Sequence, residues 1–387
     1  MAIRDSDFDA IGSELRRGGA APALDTLVDI LHREGRYHDF FEARLMQCRD
    51  RAGLPISRDL DADGLEDSQQ MALEASYLEA CRETGALFIA AGQIREAWMY
   101  WKTSGDGEKM REAFAQLDVD EENIDAVIET AIYEGVDTEF GFRQLLSHYG
   151  TCNAITTFES VMRTRTLSEQ RRVAEILVRH LHAELLKNLL ASLEEEIKTT
   201  DDPSTALSRL VENREEMFGQ YTVHVDASHL TSVVRFARVV NEREVVALAL
   251  DLTQYGCQLH ENFQFPDEPP FEETYRSHRL LFAAQMGQNV NEAVRFFKEQ
   301  AEKTDVGTEG PLPAEVYVML LARLGRHREA IDAHVALLEG DVQTTGIAPS
   351  LLDLARDSGD YSQLLKVARK RDDLLGFTVG ETEKQKQ

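Results

Sequence analysis

Residues 85–101 read Gly85-Ala86-Leu87-Phe88-Ile89-Ala90-Ala91-Gly92-Gln93-Ile94-Arg95-Glu96-Ala97-Trp98-Met99-Tyr100-Trp101. Gly85 and Phe88 stand three apart in one apolar run, Gly92 interrupts it, and Ala97 and Trp101 stand four apart in the next. Spacings of three and four bring side chains onto one face of a helix. A glycine between two such runs supplies the left-handed residue that ends the first helix. The segment therefore predicts a helical hairpin that turns at Gly92, with the small Ala97 letting the second helix approach the first.

The same grammar extends outward. No proline occurs between Pro55 and Pro203, and that stretch is rich in Ala, Leu, Glu and Arg, all good helix formers. Ile124, Val127, Ile128, Ala131 and Ile132 form one helical stripe, with Gly135 placed to cap it. Val173, Ile176, Leu177, Leu181, Leu185, Leu189 and Leu193 form a longer one, closed by Glu194-Glu195-Glu196 and the break Thr199-Thr200-Asp201-Asp202-Pro203. Strand-like alternation is confined to one short run, Tyr221-Thr222-Val223-His224-Val225, so the expected class is all-α. The glycine, small residue, bulky residue pattern of Gly92, Ala97 and Trp101 returns as Gly325, Ala330 and His334, as Gly359, Leu364 and Ala368, and more weakly as Gly18, Ala23 and Leu27. Gly325 and Gly359 stand 34 residues apart, a spacing typical of stacked helical hairpins.

On these residues the chain resembles the tetratricopeptide repeat, W-x2-L-G-x2-Y, then Gly, then A-x3-F. Cys81, Thr84, Gly85, Phe88, Gly92, Ala97 and Trp101 fall on that pattern, with Cys81 and Thr84 departing from it. In the last repeat Gly325 and Ala330 fit, while Ala314, Tyr317, Val318 and Leu321 replace the expected first-helix residues. The resemblance covers residues 75–105 well and 310–372 loosely; the middle of the chain does not match. It implies a right-handed α-solenoid of antiparallel helix hairpins, TPR-like and degenerate, that holds a peptide or protein partner on a concave face. It implies no catalytic residue. The expected organisation is N-terminal TPR-like hairpins over 1–120, a central long-helix region over 121–255, C-terminal TPR-like hairpins over 256–375 and a frayed tail over 376–387.

Composition narrows the function further. The chain has 387 residues, 43% of them hydrophobic, and a formal charge of −27. That apolar share suits a folded chain, and the acidic balance argues against nucleic acid and anionic membranes as general partners. The longest apolar run, Val316 to Ala322, is far short of the ~20 residues of a membrane span. The N-terminus lacks the apolar core of a signal peptide. Cys48, Cys81, Cys152 and Cys257 form no CxxC pair. The expected setting is cytoplasmic. There is no GxSxG elbow, no GxxxxGK phosphate loop and no strand-borne GxGxxG.

Several constellations remain as candidates. Asp59, Asp61, Asp63, Gly64 and Asp67 have the spacing of a calcium loop, but Gln70 stands where a bidentate glutamate is needed and Glu66 where an apolar residue is needed. Those departures argue against calcium and for an acidic turn capping the next helix. Seven of the eleven histidines lie between 148 and 278. His180 and His182 are two apart on a helix and cannot face one ion together. His224, Asp226 and His229 precede a helix start and are the candidate ligands for a divalent transition metal, given a third histidine from another hairpin. With it, the chain would be a helical metal-dependent enzyme; without it, no cofactor is expected. Ser147 to Asn153 reads as a turn, with Gly150 ending one helix and Thr151 or Asn153 capping the next. Residues 256–271, with Pro266, Pro269 and Pro270, read as an ordered loop pinned by Phe263, Phe265 and Phe271, with Pro270 starting the next helix. Two basic clusters, Arg163/Arg165/Arg171/Arg172 and Lys366/Arg369/Lys370/Arg371, read as partners of neighbouring acids or as anion sites. The expected activity is binding of a peptide, protein segment or small ligand in a concave groove, through Trp98, Tyr100, His148, His180, His182, His260 and Tyr275.

Overall fold

The structure is a computed structural model that describes residues 3–56, 65–193, 207, 210–211, 217–338 and 343–386. Among the described residues there are nineteen α-helices and no strand. They form two units, divided between His148 and Tyr149, and within each unit helices adjacent in sequence pack against one another. The calcium-loop residues Asp59, Asp61 and Asp63 and the break at 199–203 lie outside the described residues.

The first unit contains α1 (Asp5–Gly18), α2 (Ala20–Arg33), α3 (Tyr37–Arg51), α4 (Asp67–Ala90), α5 (Ile94–Ser104), α6 (Gly107–Gln116) and α7 (Ile124–Ile128), which runs into a π-turn over Glu129–Tyr133. Its largest core gathers Cys81, Phe88, Ala97, Trp101, Phe114 and Val127. The first four fall on the repeat pattern. Each large side chain buried there contributes about 1.5–3 kcal/mol relative to exposure. Gly92 turns the hairpin at φ 75°, and a Cβ on Gly85 would stand 2.4 Å from the Trp101 ring. The α1–α2 turn departs from expectation by one residue. Gly19, at φ 84°, ends α1, whereas Gly18 is helical and lies under Pro22.

The two units meet in sequence inside α8 (Thr138–Val161), which is interrupted at Gly150 by φ 77° and ψ −178°. Neither expected cap forms there. Thr151 Oγ1 bonds His180 Nε2 at 2.9 Å, and Asn153 donates back to the Tyr149 carbonyl.

The second unit continues with α9 (Leu167–Leu193), α10 (Ala227–Phe236), α11 (Arg243–Gly256), α12 (Thr274–Gln285), α13 (Val290–Lys303), α14 (Val306–Glu309), α15 (Leu312–Arg323), α16 (His327–Leu337), α17 (Leu351–Ser358), α18 (Ser362–Lys370) and α19 (Leu374–Lys384). Val173, Leu177, Leu181, Leu185 and Leu189 of α9 are all buried, as their period requires. Residues 221–225 are irregular, with a bend at 224–225, and form no strand. Gly325 and Gly359 take left-handed conformations at their expected turns. The apolar run of α15 conceals a fully buried carboxylate. Glu315 accepts the backbone N–H of Thr345 at 3.0 Å, the Thr345 hydroxyl at 2.8 Å and the N–H of Gly346 at 2.9 Å. Those charge-assisted bonds satisfy a group that could not otherwise be buried.

The proline-rich loop is ordered, but by different contacts from those expected. Phe271 is fully buried, Phe263 is half-buried and Phe265 is exposed. The following helix begins at Thr274, not Pro270. A single aromatic ring and a charged pair, described below, replace the expected aromatic trio.

Candidate binding groove

The residues singled out in the sequence are dispersed over both units. Trp98 donates its indole N–H to Glu134 at 3.2 Å and is half-buried. Tyr100 is buried, stacks on Phe88 and bonds His38 Nδ1 at 2.9 Å. Burial pushes its phenol up to about 12. His148 is exposed. His180 bonds Thr151, and His182 is buried against Asp251 at 3.0 Å. His260 caps a short turn by accepting the N–H of Asn262. Tyr275 is buried and bonds Thr231 Oγ1 at 2.9 Å. Tyr100, His182 and Tyr275 therefore sit in packed interiors.

Two of the three candidate metal ligands, His224 and Asp226, are engaged by other groups. The hydroxyl of Tyr255 accepts the backbone N–H of His224 and bonds the ring Nδ1, both at 3.0 Å, and burial lowers the pKa of that ring. Asp226 is the N-cap of α10, accepting from Ser228 N at 2.8 Å and His229 N at 3.3 Å. These bonds, with Ser228 Oγ first, hold its carboxyl below the usual range. His229 is half-buried. No three His, Cys, Asp or Glu side chains converge on a metal position among the described residues.

One polar assembly was not visible in the sequence. Arg238 is 9% exposed and donates from Nε to His278 Nε2 at 2.8 Å. It pairs closely with Asp267 and lies 4.2 Å above the Phe271 ring. Arg235 reaches the same carboxylate at 3.1 Å. His278 is fully buried, stacks on Phe271 at 4.0 Å and points Nδ1 at the Thr274 carbonyl at 2.6 Å. The bonds assign its tautomer: Nδ1 carries the proton and donates, and Nε2 accepts from Arg238. Desolvation first, and then the Arg238 and Arg235 charges, hold this imidazole neutral, with a pKa well below the ordinary value. Burial also lowers His224 and His334.

These shifts predict acid sensitivity. Between the depressed folded pKa values and ~6.5, the unfolded chain binds more protons than the folded one, so stability rises with pH in that window. The contribution is complete above ~6.5 and is lost as pH falls toward the folded values, at up to about 1.4 kcal/mol per pH unit for His278. Denaturation midpoints taken from about pH 7.5 down to about pH 5 should fall, and should fall less steeply in His278→Gln. A midpoint constant over that range would contradict the account.

The groove with the most exposed, uncommitted chemistry lies between α12 and α13. It encloses about 630 Å³, within the usual range for ligand sites. Arg276, Leu280 and Ala283 line it from α12, and Glu292, Arg295, Phe296 and Glu299 from α13. These residues follow three- and four-residue spacings, so each helix contributes one continuous stripe. Ala283 is buried and forms part of the floor, Leu280 and Phe296 are half-buried, and the charges stand at the rim. Arg276 pairs with Glu273 at 3.2 Å. Arg279 donates toward Cys257, whose thiol burial pushes up. Glu292, Arg295 and Glu299 make no ion pair among the described residues. A second groove of about 460 Å³, in the first unit, is lined mainly by Leu45, Leu65, Leu73 and Tyr77. None of the residues singled out in the sequence lines the α12–α13 groove. The signal that could have found it was the charged i, i+3 and i, i+4 pattern of 292–299 beside Phe296.

Compared with known protein families, with curated proteins and with solved structures, the chain matches none.

Proposed function

We propose that this protein is a TPR-like helical-hairpin interaction module of the cytoplasm that holds a segment of a partner protein in the α12–α13 groove. The observation that carries the reading is the groove itself. It sets a half-buried aromatic ring and charges of both signs on α13, unpaired among the described residues, against the face of α12. Rigid walls lose little freedom on association. Phe296 supplies an apolar anchor of the kind that dominates interface energies. The rim of Glu292, Arg295 and Glu299 selects orientation through complementary charge and adds little affinity of its own. The preferred occupant is an extended segment with one apolar side chain flanked by charges of both signs. The four free cysteines suit a reducing compartment.

A photo-crosslinking amino acid placed at Glu299 in the full chain tests this. It should yield discrete adducts with one protein segment, and Phe296→Ala or Arg295→Glu should reduce their yield about tenfold or more. The reading fails if the adducts match those from a probe at exposed Lys109, or survive both substitutions.

A further inference from the structure

The helix α19 carries apolar side chains on two opposite faces. Its inner face seats Phe377 against Ala355, Tyr361 and Leu365, and Gly380 is buried so close to α18 that a Cβ there would stand 3.0 Å from the Leu365 side chain. Its outer face is open. Leu374 is 78% exposed, Leu375 82% and Val379 41%, and Thr378 and Thr382 are exposed beside them. On a regular helix these five positions form one stripe about 140° wide. Both threonine hydroxyls are committed to the helix itself. Thr378 Oγ1 donates to the Leu374 carbonyl and Thr382 Oγ1 to the Thr378 carbonyl, each at 2.7 Å. The stripe therefore presents methyl groups and no charge, in a chain that is 29% charged residues. The corner that presents it is fixed. The Asp373 N–H bonds the Ala368 carbonyl at 2.9 Å, the Asp373 side chain caps α19 by accepting the Gly376 N–H at 2.8 Å, and Asp372 takes a left-handed φ of 54°. Two adjacent leucines held in water on ordered backbone mark a surface that gains from being covered.

We propose that this face is covered by the same face of a second copy of the chain, in an antiparallel, two-fold pair of α19 helices. A two-fold contact needs a surface complementary to itself, and the stripe is one. With the axis between Gly376 and Phe377, Leu374 of each copy meets Val379 of the other, and Leu375 meets Thr378. Charge selects both the partner and the direction. Two copies of a chain with 69 acidic and 42 basic residues repel over most of their surface, whereas residues 362–386 carry six basic residues against four acidic ones. Repulsion is therefore weakest here. Lys366, Arg369, Lys370 and Arg371 gather at the N-terminal corner of α19, while Glu381 and Glu383 stand at the two edges of the stripe near its other end, Glu383 also meeting Arg356 at 2.9 Å. Antiparallel pairing brings each basic corner beside the other copy's carboxylates and opposes the helix dipoles. Parallel pairing would set basic corner against basic corner. A helix of eleven residues is about 16 Å long and offers less than the ~800 Å² per partner of a standard interface, so the expected dimer is weak, with a dissociation constant of about 10–100 µM.

Sedimentation equilibrium of the full chain tests this over about 1–200 µM, a range that brackets the expected constant. The wild type should pass from one chain to two as concentration rises. Leu375→Glu should weaken the dimer about tenfold or more, and because the position is exposed it should leave the circular dichroism spectrum and the unfolding midpoint of the dilute protein unchanged. Direction is read by cross-linking in a Cys152→Ser background, which removes the exposed native cysteine. In the antiparallel pair the two copies of residue 378 lie about 5 Å apart along the axis and the two copies of residue 385 about 25 Å apart. Thr378→Cys should therefore join two chains and Gln385→Cys should not. A chain that stays single at every concentration would overturn the proposal, as would a dimer that survives Leu375→Glu or equal cross-linking at 378 and 385. Flotation of a single-chain protein with vesicles of phosphatidylcholine and phosphatidylserine, lost in Leu375→Glu, would likewise overturn it and assign the face to a lipid surface.

Discussion

Asp267→Ala should destabilise the protein by about 3–5 kcal/mol, because it leaves the buried guanidinium of Arg238 without its counter-charge. Asp267 is the only carboxylate within ion-pair distance of Arg238 among the described residues, and it is shared with Arg235. His278 does not relieve the excess charge. Its neutral ring accepts a hydrogen bond from Arg238, but a proton there would add a second positive charge beside the first. The cation also lies over Phe271, an attraction of about 0.5–2 kcal/mol that is too small to replace an ion pair. Asp267→Asn should cost less than alanine, since the amide oxygen still accepts. The double variant Asp267→Asn/Arg238→Met should recover much of the loss, because replacing both members of a buried pair is often close to neutral. Urea unfolding followed by far-UV circular dichroism measures the energies, and hydrogen exchange over 256–278 locates the opening. A loss below about 1 kcal/mol for the alanine variant would mean that the loop is held by its packing alone.

This assembly also marks where the sequence stops being informative. Prolines at 266, 269 and 270 announce an irregular segment, and that much is observed. What fastens the segment is a contact between positions 238 and 267 and another between 238 and 278. No local spacing connects those residues. The same holds for Glu315, which sits in an apolar stretch and is satisfied by a loop thirty residues later. Helices, by contrast, are legible because their signal is local. The 173–189 stripe, the glycine turns at 92, 325 and 359, and the burial of Phe88, Ala97 and Trp101 follow from spacings of three and four. The histidines and aromatics are chemically conspicuous, but side chains of those types also fill interiors. Tyr100, His182 and Tyr275 are buried for that reason. The groove residues are ordinary charged ones. Only the pairing of α12 with α13 gives them a common face.

Gly85→Ala should cost about 2–3 kcal/mol, near the upper end for overpacking a core. Gly85 is helical, so its backbone carries no penalty for a side chain. The cost arises entirely from contact. A Cβ would stand 2.4 Å from both Cδ1 and Nε1 of Trp101 and 2.9 Å from Cγ. The indole has little room to yield, because it is 4% exposed and its N–H is held by the Arg82 carbonyl at 3.1 Å. Gly92→Ala offers the contrasting case within the same hairpin. Its Cβ would meet nothing within 4 Å, but φ is 75°, and the left-handed conformation alone should cost about 1–2 kcal/mol. The two losses should therefore respond differently to a second substitution. Trp101→Phe should relieve part of the Gly85→Ala cost and leave the Gly92→Ala cost unchanged, giving a coupling energy of about 0.5 kcal/mol or more in the first cycle and about zero in the second. Both tryptophans, Trp98 and Trp101, lie in this hairpin, so intrinsic fluorescence during urea unfolding reports on it directly, through Trp98 once Trp101 is replaced. Equal coupling in the two cycles would show that the close approach of α4 and α5 at Gly85 is not what the glycine serves, and with it the link from the 85–101 pattern to the packed hairpin would be lost.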